Sequence, residues 1–359
     1  MYLTGINYLN IRNLISAKCL FSKKINFFYG KNGQGKTSLI EAIYFGITGK
    51  SFRTSNIKNI LKYNAKSGAV FIQYTEKDME KNIALNYKNG KKEYFYNKNK
   101  IMYDEFFGKI NVISFIPDDI NLIMSSPSTR RNFFDYEISQ SNFTYYSKLK
   151  EFNQILKIRN KYIKERKHKT DIFKIYNDKF IEISSEIMEI RYEYINKITV
   201  LLNLNYRKLF NNKTELYLKY IPSVEIVNIK EVHNIFQEIL NTQLEKDLYY
   251  GYTSIGPQKD DFMFLLSGLE SKNFSSEGEK RSVIFALKIA EIDMIIKEKK
   301  EAPIFLIDDI ISFFDSERQK KVIEYFKKRN MQLFITSTEK IDIDAKFFKI
   351  EEGVLYEEY

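Results

Sequence analysis

The first part of the chain runs in short stretches dense in Tyr, Ile and Phe. Tyr2 to Ile11 and Lys24 to Tyr29 read as strands. A glycine-rich loop follows, and then Leu39, Ile40, Ile43 and Ile47 fall on one face of a helix. Ala69 to Tyr74, Ile83 to Tyr87 and Glu93 to Asn97 predict a small antiparallel sheet, with Asn89-Gly90 as its turn signal. Asn111 to Phe115 predicts another strand, stopped by Pro117. From Arg130 to Phe210 the pattern changes: glycine and proline vanish, and Ile183, Ile187, Ile190, Tyr194 and Ile198 recur at helical steps. Leu149, Phe152, Leu156 and Ile163 form a similar stripe. The stripes predict two long antiparallel helices packed on each other, with a polar bend near Lys167 to Thr170.

The last third returns to mixed elements. Ser276 to Lys297 predicts an amphipathic helix, and Pro303 to Ile307 is a continuous apolar run suited to a buried parallel strand. A helix around Ser316 to Lys328, a strand over Gln332 to Thr336 and an edge hairpin over 347–350 and 354–357 complete the reading. The expected fold class is therefore α/β. One discontinuous lobe spans 1–125 and 248–359, and a mainly helical lobe over 126–247 is inserted in it.

Composition narrows the classes. The chain has 359 residues and a single cysteine, Cys19, so an internal disulfide and a cysteine-based metal site are both excluded. His168 and His233 stand far apart and suit a surface better than a catalytic site. No run approaches the roughly 20 uncharged apolar residues of a membrane helix, and the N-terminal residues lack a signal pattern. The expectation is a cytoplasmic protein with no membrane partner. A net charge of +11 attracts polyanions, nucleic acid or anionic lipid, though lysine is abundant throughout the chain.

Gly30, Lys31, Asn32, Gly33, Gln34, Gly35, Lys36 and Thr37, followed by Ser38, match G-x-x-x-x-G-K-[ST] between an expected strand and an expected helix. Glycines let backbone N–H groups curl around an anion, and the helix N-terminus adds positive potential. Lys36 would reach the β- and γ-phosphates of ATP, and the Thr37 hydroxyl would ligate Mg²⁺. The partner motif is the apolar run Ile304 to Ile307 ending in Asp308 and Asp309. Two carboxylates at the end of a buried strand call for a nearby cation. Asp308 would hold Mg²⁺ through water, and Asp309 would orient or deprotonate an attacking water. Capping of a strand-end turn is the plainer reading of these two acids taken alone.

Ser276, Gly278 and Glu279 open a long helix one element before the acidic strand. They resemble the ABC signature, in which a serine hydroxyl and a glycine N–H meet the γ-phosphate bound by the opposite subunit. They also fit an N-capping box, serine at N-cap and glutamate at N3, and the two readings are compatible.

Taken in order, Gly30 to Tyr44, Thr48 to Thr54, Ser126 to Arg131 with Phe134 and Asp135, Gly251 to Asp261, Ser276 to Glu291, Leu306 to Asp315 and Phe334 to Thr338 resemble the RecF family. These are ATPases of bacterial recombinational repair with ABC/SMC-type heads. The resemblance runs along nearly the whole chain. It implies an ABC-type P-loop head with a helical lobe in place of a long SMC arm, and an ATP-dependent homodimer with Asp315 at its interface. It also implies binding of double-stranded DNA beside single-strand gaps, and cooperation with RecR and RecO in loading RecA.

Four departures stand out. Asp309 is one methylene shorter than the glutamate of ABC transporters. Thr336 and Ser337 stand where a switch histidine is expected. No glutamine occurs in Phe115 to Asp119, the place of a Q-loop, and Gln258-Lys259 replaces the usual His-Arg. A transporter ATPase subunit would need that glutamine and histidine and no helical insert. Other SMC-like heads carry far longer arms, and zinc-hook types need a Cys-x-x-Cys. A clamp in which binding does the work and hydrolysis only resets it remains compatible with every motif.

Overall fold

The computed structural model describes all residues except 16, 17, 227, 314–321, 327, 328, 330 and 359, and all described side chains except those at 311 and 312. The N-terminal elements are strands β1 (Tyr2–Leu9), β2 (Lys18–Leu20) and β3 (Ile25–Tyr29), helix α1 (Lys36–Thr48), and strands β4 (Ser67–Glu76), β5 (Met79–Lys88), β6 (Lys91–Tyr96) and β7 (Asn99–Ile101). Helix α2 (Tyr103–Phe106) and strand β8 (Val112–Phe115) follow. The middle holds helices α3 (Asn121–Met124), α4 (Pro127–Ser141), α5 (Phe143–Lys164) and α6 (Asp171–Leu209), strand β9 (Leu216–Ile221), and helices α7 (Val232–Thr242) and α8 (Leu244–Tyr250). Strands β10 (Asp261–Leu266) and β11 (Leu269–Glu270) and helices α9 (Ser271–Phe274) and α10 (Glu277–Lys299) come next. Strand β12 (Ile304–Ile307), helix α11 (Ile310–Phe313) and strands β13 (Leu333–Ser337), β14 (Lys346–Glu351) and β15 (Val354–Glu358) complete the described elements. Residues 322–326 are helical, while the rest of the helix expected over 316–328 lies outside the described residues.

The chain divides into two compact units, 1–119 with 291–359, and 120–290. In the first, an antiparallel sheet runs β2-β1-β4-β5-β6-β7 and a mixed sheet runs β15-β14-β3-β13-β12-β8. Helix α1 touches strands of both sheets, so nearly all its residues are buried and its apolar positions spread around the helix. Strands β3, β12 and β13 pair in parallel and lack polar alternation because both faces are covered. The β5–β6 turn at Asn89 and Gly90 has φ of 52° and 78°, the left-handed pair that such a dipeptide favours.

In the second unit, α5 and α6 pack antiparallel. Lys148 pairs with Glu186, and Arg159 bonds Asn177, so contacts climb one helix while descending the other. Asn142 caps α5 by accepting from the Tyr145 N–H, and Thr170 caps α6 by accepting from the Phe173 N–H. The expected bend falls in the gap between them. Helix α4 is a third helix in the stretch expected to hold two. Strand β9, at one edge of the sheet β11-β10-β9, has its backbone sealed by α6: Leu216 and Leu218 N–H donate to Asn203 and Thr199.

Two expectations need correction. Residues 120–125 and 248–290 group with the helical unit, not with the α/β unit. The reason is long-range pairing, since β10 forms an antiparallel ladder with β9 and Asp260 is buried against Arg191. Helix α10 is also not amphipathic through its middle, because residues 282–292 are buried without interruption.

Arg191 organises the helical unit. It is 1% exposed and reaches Asp260 (2.7 Å), Asp135 (2.8 Å) and the Pro257 carbonyl (2.8 Å). Tyr145 donates to Asp135 and Tyr220 to Asp260, while Arg130 grips Asp261 with two bonds. Arg191→Met leaves Asp260 charged and buried, and is expected to destabilise this unit by about 3–5 kcal/mol. Urea unfolding followed by circular dichroism measures it; a loss under about 1 kcal/mol would show the network to be dispensable. No described helix is long and apolar enough to cross a membrane.

Candidate active site

The phosphate loop leaves β3 at Tyr29 and enters α1 at Lys36. Its first glycine is dictated by space, because a Cβ on Gly30 would stand 2.3 Å from the Ile350 carbonyl oxygen of β14. The β14–β15 turn closes on the same loop. Gly353 N–H donates to the Gln34 carbonyl (2.9 Å), Glu352 N–H donates to the Gln34 side chain, and a Cβ on Gly353 would meet the Asn13 carbonyl oxygen at 2.1 Å. Asn13 ties the other side, donating to the Gly33 carbonyl (3.1 Å) and accepting from Ser38 (2.8 Å). Gly35 caps α1 with no side-chain bond, so no side chain satisfies the first N–H groups of α1, which stand available to an anion. Lys31, Asn32 and Gly33 lie along the loop, and all three are exposed.

Lys36 is 7% exposed and donates to the carbonyls of Gly30 (2.6 Å) and Lys31 (2.9 Å). Burial lowers its pKa below the usual lysine range, and the charges of Asp309 and Asp308 pull it back.

The acids arrive on β12, which is not adjacent to β3; β13 lies between them. Thr336 on β13 spans that gap. Its hydroxyl donates to Asp308 Oδ1 (2.7 Å) and accepts from the Asp309 N–H (2.8 Å). Thr37 donates to Asp308 as well, at 2.8 and 3.1 Å to its two oxygens. Asp308 N–H bonds the Phe115 carbonyl (2.9 Å), which brings the segment lacking a Q-loop glutamine beside the acids. Asp309 takes a left-handed backbone, φ 56°, which aspartate tolerates better than most residues.

Burial pushes the Asp308 carboxyl above the usual aspartate range; Thr336 and Thr37 pull it back, and Asp309 adds to the rise. A raised folded-state pKa means the fold prefers the protonated form, so stability from this group is lost as pH rises through that value. Asp308→Asn is therefore expected to raise the thermal midpoint of nucleotide-free protein at mildly alkaline pH. The gain should fade as pH falls towards about 4, the ordinary aspartate value. Scanning fluorimetry across pH reads this; a lower midpoint at alkaline pH would contradict the burial argument.

The loop and acids open into a cavity of about 1060 Å³ that the sequence reading had only half populated. Arg12, Arg53, Lys58 and Lys62 line it as well. Glu41, fully buried on α1, orients the two arginines: Arg12 binds it through two bonds (2.7 and 2.8 Å), and Arg53 lies 3.6 Å away. Ser51 donates to the same carboxylate. Arg12 and Asn13 escaped the sequence reading because neither belongs to a periodic or glycine-marked pattern, while Glu41 and Arg53 fall inside the family-like segments Gly30 to Tyr44 and Thr48 to Thr54 but carry no signal of their own for this pairing.

In the helical unit, Ser276 and Glu279 form the capping box expected of them. Ser276 N–H donates to the Glu279 carboxylate (2.7 Å), and Glu279 N–H donates to Ser276 Oγ (3.2 Å). Ser276, Gly278 and Glu279 are all exposed. Asp315 lies outside the described residues. Of the two histidines, His233 is exposed and His168 half-buried.

The donor set suits a magnesium-bound nucleotide. The half-buried Thr37 hydroxyl and the buried Asp308 carboxylate, in mutual contact, are oxygen ligands of the kind Mg²⁺ prefers, and that ion completes its shell with water and phosphate. Among the described residues, no group of three or more His, Cys, Asp or Glu stands ready to hold a metal unaided.

The RecF/RecN/SMC N-terminal domain model matches residues 2–347. A DNA replication and repair protein RecF of Clostridium novyi is 31% identical over 99% of both chains. That of Natranaerobius thermophilus is 35% identical over 98% of this chain and 97% of its own. Among solved structures, the recombination mediator protein RecF-ATP in the RecFOR pathway superposes with a TM-score of 0.92 at 32% identity, covering 100% of this chain and 98% of that one. An Smc head bound to the C-winged helix domain of ScpA shares the fold at a TM-score of 0.59 and 18% identity, over 99% and 97% of the two chains.

Proposed function

The chain belongs to the RecF family, within the RecF/RecN/SMC group, and from that premise we propose that it is an ATP-dependent DNA-binding protein of recombinational repair and replication. Two copies dimerise on ATP and hold duplex DNA beside single-strand gaps, and slow, DNA-stimulated hydrolysis resets them. The observation that carries this reading is the joining of loop and acids through Thr37, Asp308 and Thr336.

Each residue has a part in it. Backbone N–H groups from Gly30 to Ser38 cradle the phosphates, with Gly33, Gln34 and Gly35 at their centre. Lys36, now bonded to loop carbonyls, has an ammonium free to exchange those partners for phosphate oxygens. Thr37 and Asp308 hold Mg²⁺, and Thr336 keeps Asp308 in place. Magnesium, when bound, supplies a Lewis acid that draws charge off phosphate oxygens. Asp309 orients water or takes its proton, its backbone fixed by Thr336. Ser276 and Gly278 serve the nucleotide of the opposite subunit, with Glu279 shaping the helix end and Asp315 at the same interface. RecR and RecO are the expected protein partners, in loading RecA.

DNA is held by its phosphates without base readout. The net charge of +11 supports this, as do basic runs such as Lys164 to Lys169. The expected result is affinity that falls log-linearly with salt, barely varies among unrelated duplexes and strengthens with ATP, because dimerisation presents two basic surfaces to one duplex. Fluorescence anisotropy over a salt series decides it. Binding indifferent to salt, or equally tight without nucleotide, would refute the mechanism.

A further inference from the structure

Three tyrosines crowd one short segment of the helical unit. Tyr249, Tyr250 and Tyr252 are 84%, 51% and 43% exposed. Gly251 ends α8 in a left-handed turn (φ 76°), its N–H bonded to the Asp247 carbonyl. The turn returns Tyr252 beside Tyr250, with centroids 5.8 Å apart and planes 26° from parallel. Tyr249 meets Tyr250 edge-on at 5.2 Å. Lys259 places its ammonium 4.9 Å from the centre of the Tyr252 ring.

The segment is held firmly from below. Thr253 donates its N–H (2.8 Å) and hydroxyl (2.7 Å) to Asn160 of α5. On α8, Asp247 is fully buried and committed to Arg159 and Ser254, and Glu245, one turn before Tyr249, is the exposed acid. Lys157 and Lys164 are exposed on α5 three residues before and four residues after Asn160, so they share its side of the helix. Ring faces held in water beside exposed ammonium groups match one ligand chemistry: flat bases strung on phosphates.

We propose that Tyr249, Tyr250 and Tyr252 are a stacking platform for the unpaired bases of single-stranded DNA, with Lys259 and the α5 lysines taking its phosphates. The proposal rests on the DNA-binding reading and extends it from duplex to strand. Bases in a duplex are already stacked on each other, so the rings engage only a strand that has lost its complement.

The chain has no tryptophan, so Tyr250→Trp installs a single emitter that still stacks. With ATP present, oligo-dT should quench that emission, while an abasic oligonucleotide of equal length and a blunt duplex should not. Replacing all three tyrosines by alanine should weaken oligo-dT binding about tenfold or more, with duplex affinity and the ATPase rate unchanged. Equal quenching by abasic and dT strands would overturn the platform. So would an unaltered dT affinity in the triple variant with duplex binding intact, a result that would leave the rings to a protein contact. If the wild type binds neither strand nor duplex, the DNA-binding reading fails along with it.

Discussion

Lys36→Met is expected to lower ATP turnover about a hundredfold or more and to abolish measurable nucleotide binding, while leaving the fold intact. Methionine is unbranched like lysine but one atom shorter, and it donates nothing. In the nucleotide-free protein, the ammonium is buried and its pKa is lowered by that burial. Removing it therefore relieves a cost, and the thermal midpoint without nucleotide should hold or rise. The wild type should gain stability on adding ATP and Mg²⁺, and the variant should not. Phosphate-release assays and scanning fluorimetry together separate loss of function from loss of fold. Unchanged turnover would remove Lys36 from the site.

Ser276→Arg is expected to bind ATP and remain monomeric, whereas Asp309→Asn should bind ATP and stay dimeric far longer than the wild type. The arginine fills space at the exposed start of α10 that the partner's nucleotide would need. It also breaks the capping box, at a cost of about 1 kcal/mol, which is small enough for the unit to stay folded. Asparagine at 309 tolerates the left-handed backbone observed there and keeps the N–H that Thr336 accepts, so only the carboxylate charge is lost. Light scattering with ATP and after its removal reads both variants. A wild type that stays monomeric at saturating ATP, or a Ser276→Arg protein that still dimerises, would sink the ATP-dependent dimer in which Ser276 serves the opposite subunit's nucleotide.

What was legible in the sequence was local. The Gly30 to Thr37 loop, the Ile304 to Ile307 run and the Asn89-Gly90 turn each carry their signal within a few residues. The same holds for the Ser276–Glu279 box. What was not legible depends on partners hundreds of residues away or on an uncommon environment. Arg12 and Arg53 are ordinary surface-type residues until Glu41 is seen buried between them. Residues 248–266 carry family-like motifs without a helical stripe, and only the β9–β10 ladder and the Arg191–Asp260 pair assign them to the helical unit. Helix α10 keeps Lys288 and Glu291 among its buried positions, which made its pattern look two-faced when it is covered all round. Thr336 stands in the sequence only at the expected place of a switch histidine, and its bridging of both acids depends on β13 lying between β3 and β12.

The grip of the β14–β15 turn on the phosphate loop has a consequence for biosynthesis. Gln34 waits for Glu352, 318 residues later, and Gly30 is shaped around Ile350. At ordinary translation speeds of about 5–20 residues per second, that delay is tens of seconds. Through that interval the nascent loop lacks the strand that defines its curvature. Completion of the loop's packing is thereby postponed until the distant hairpin has emerged and docked. A chain stalled on the ribosome before that point would carry every residue of the phosphate-binding motif without the turn that holds Gln34 or the strand that shapes Gly30.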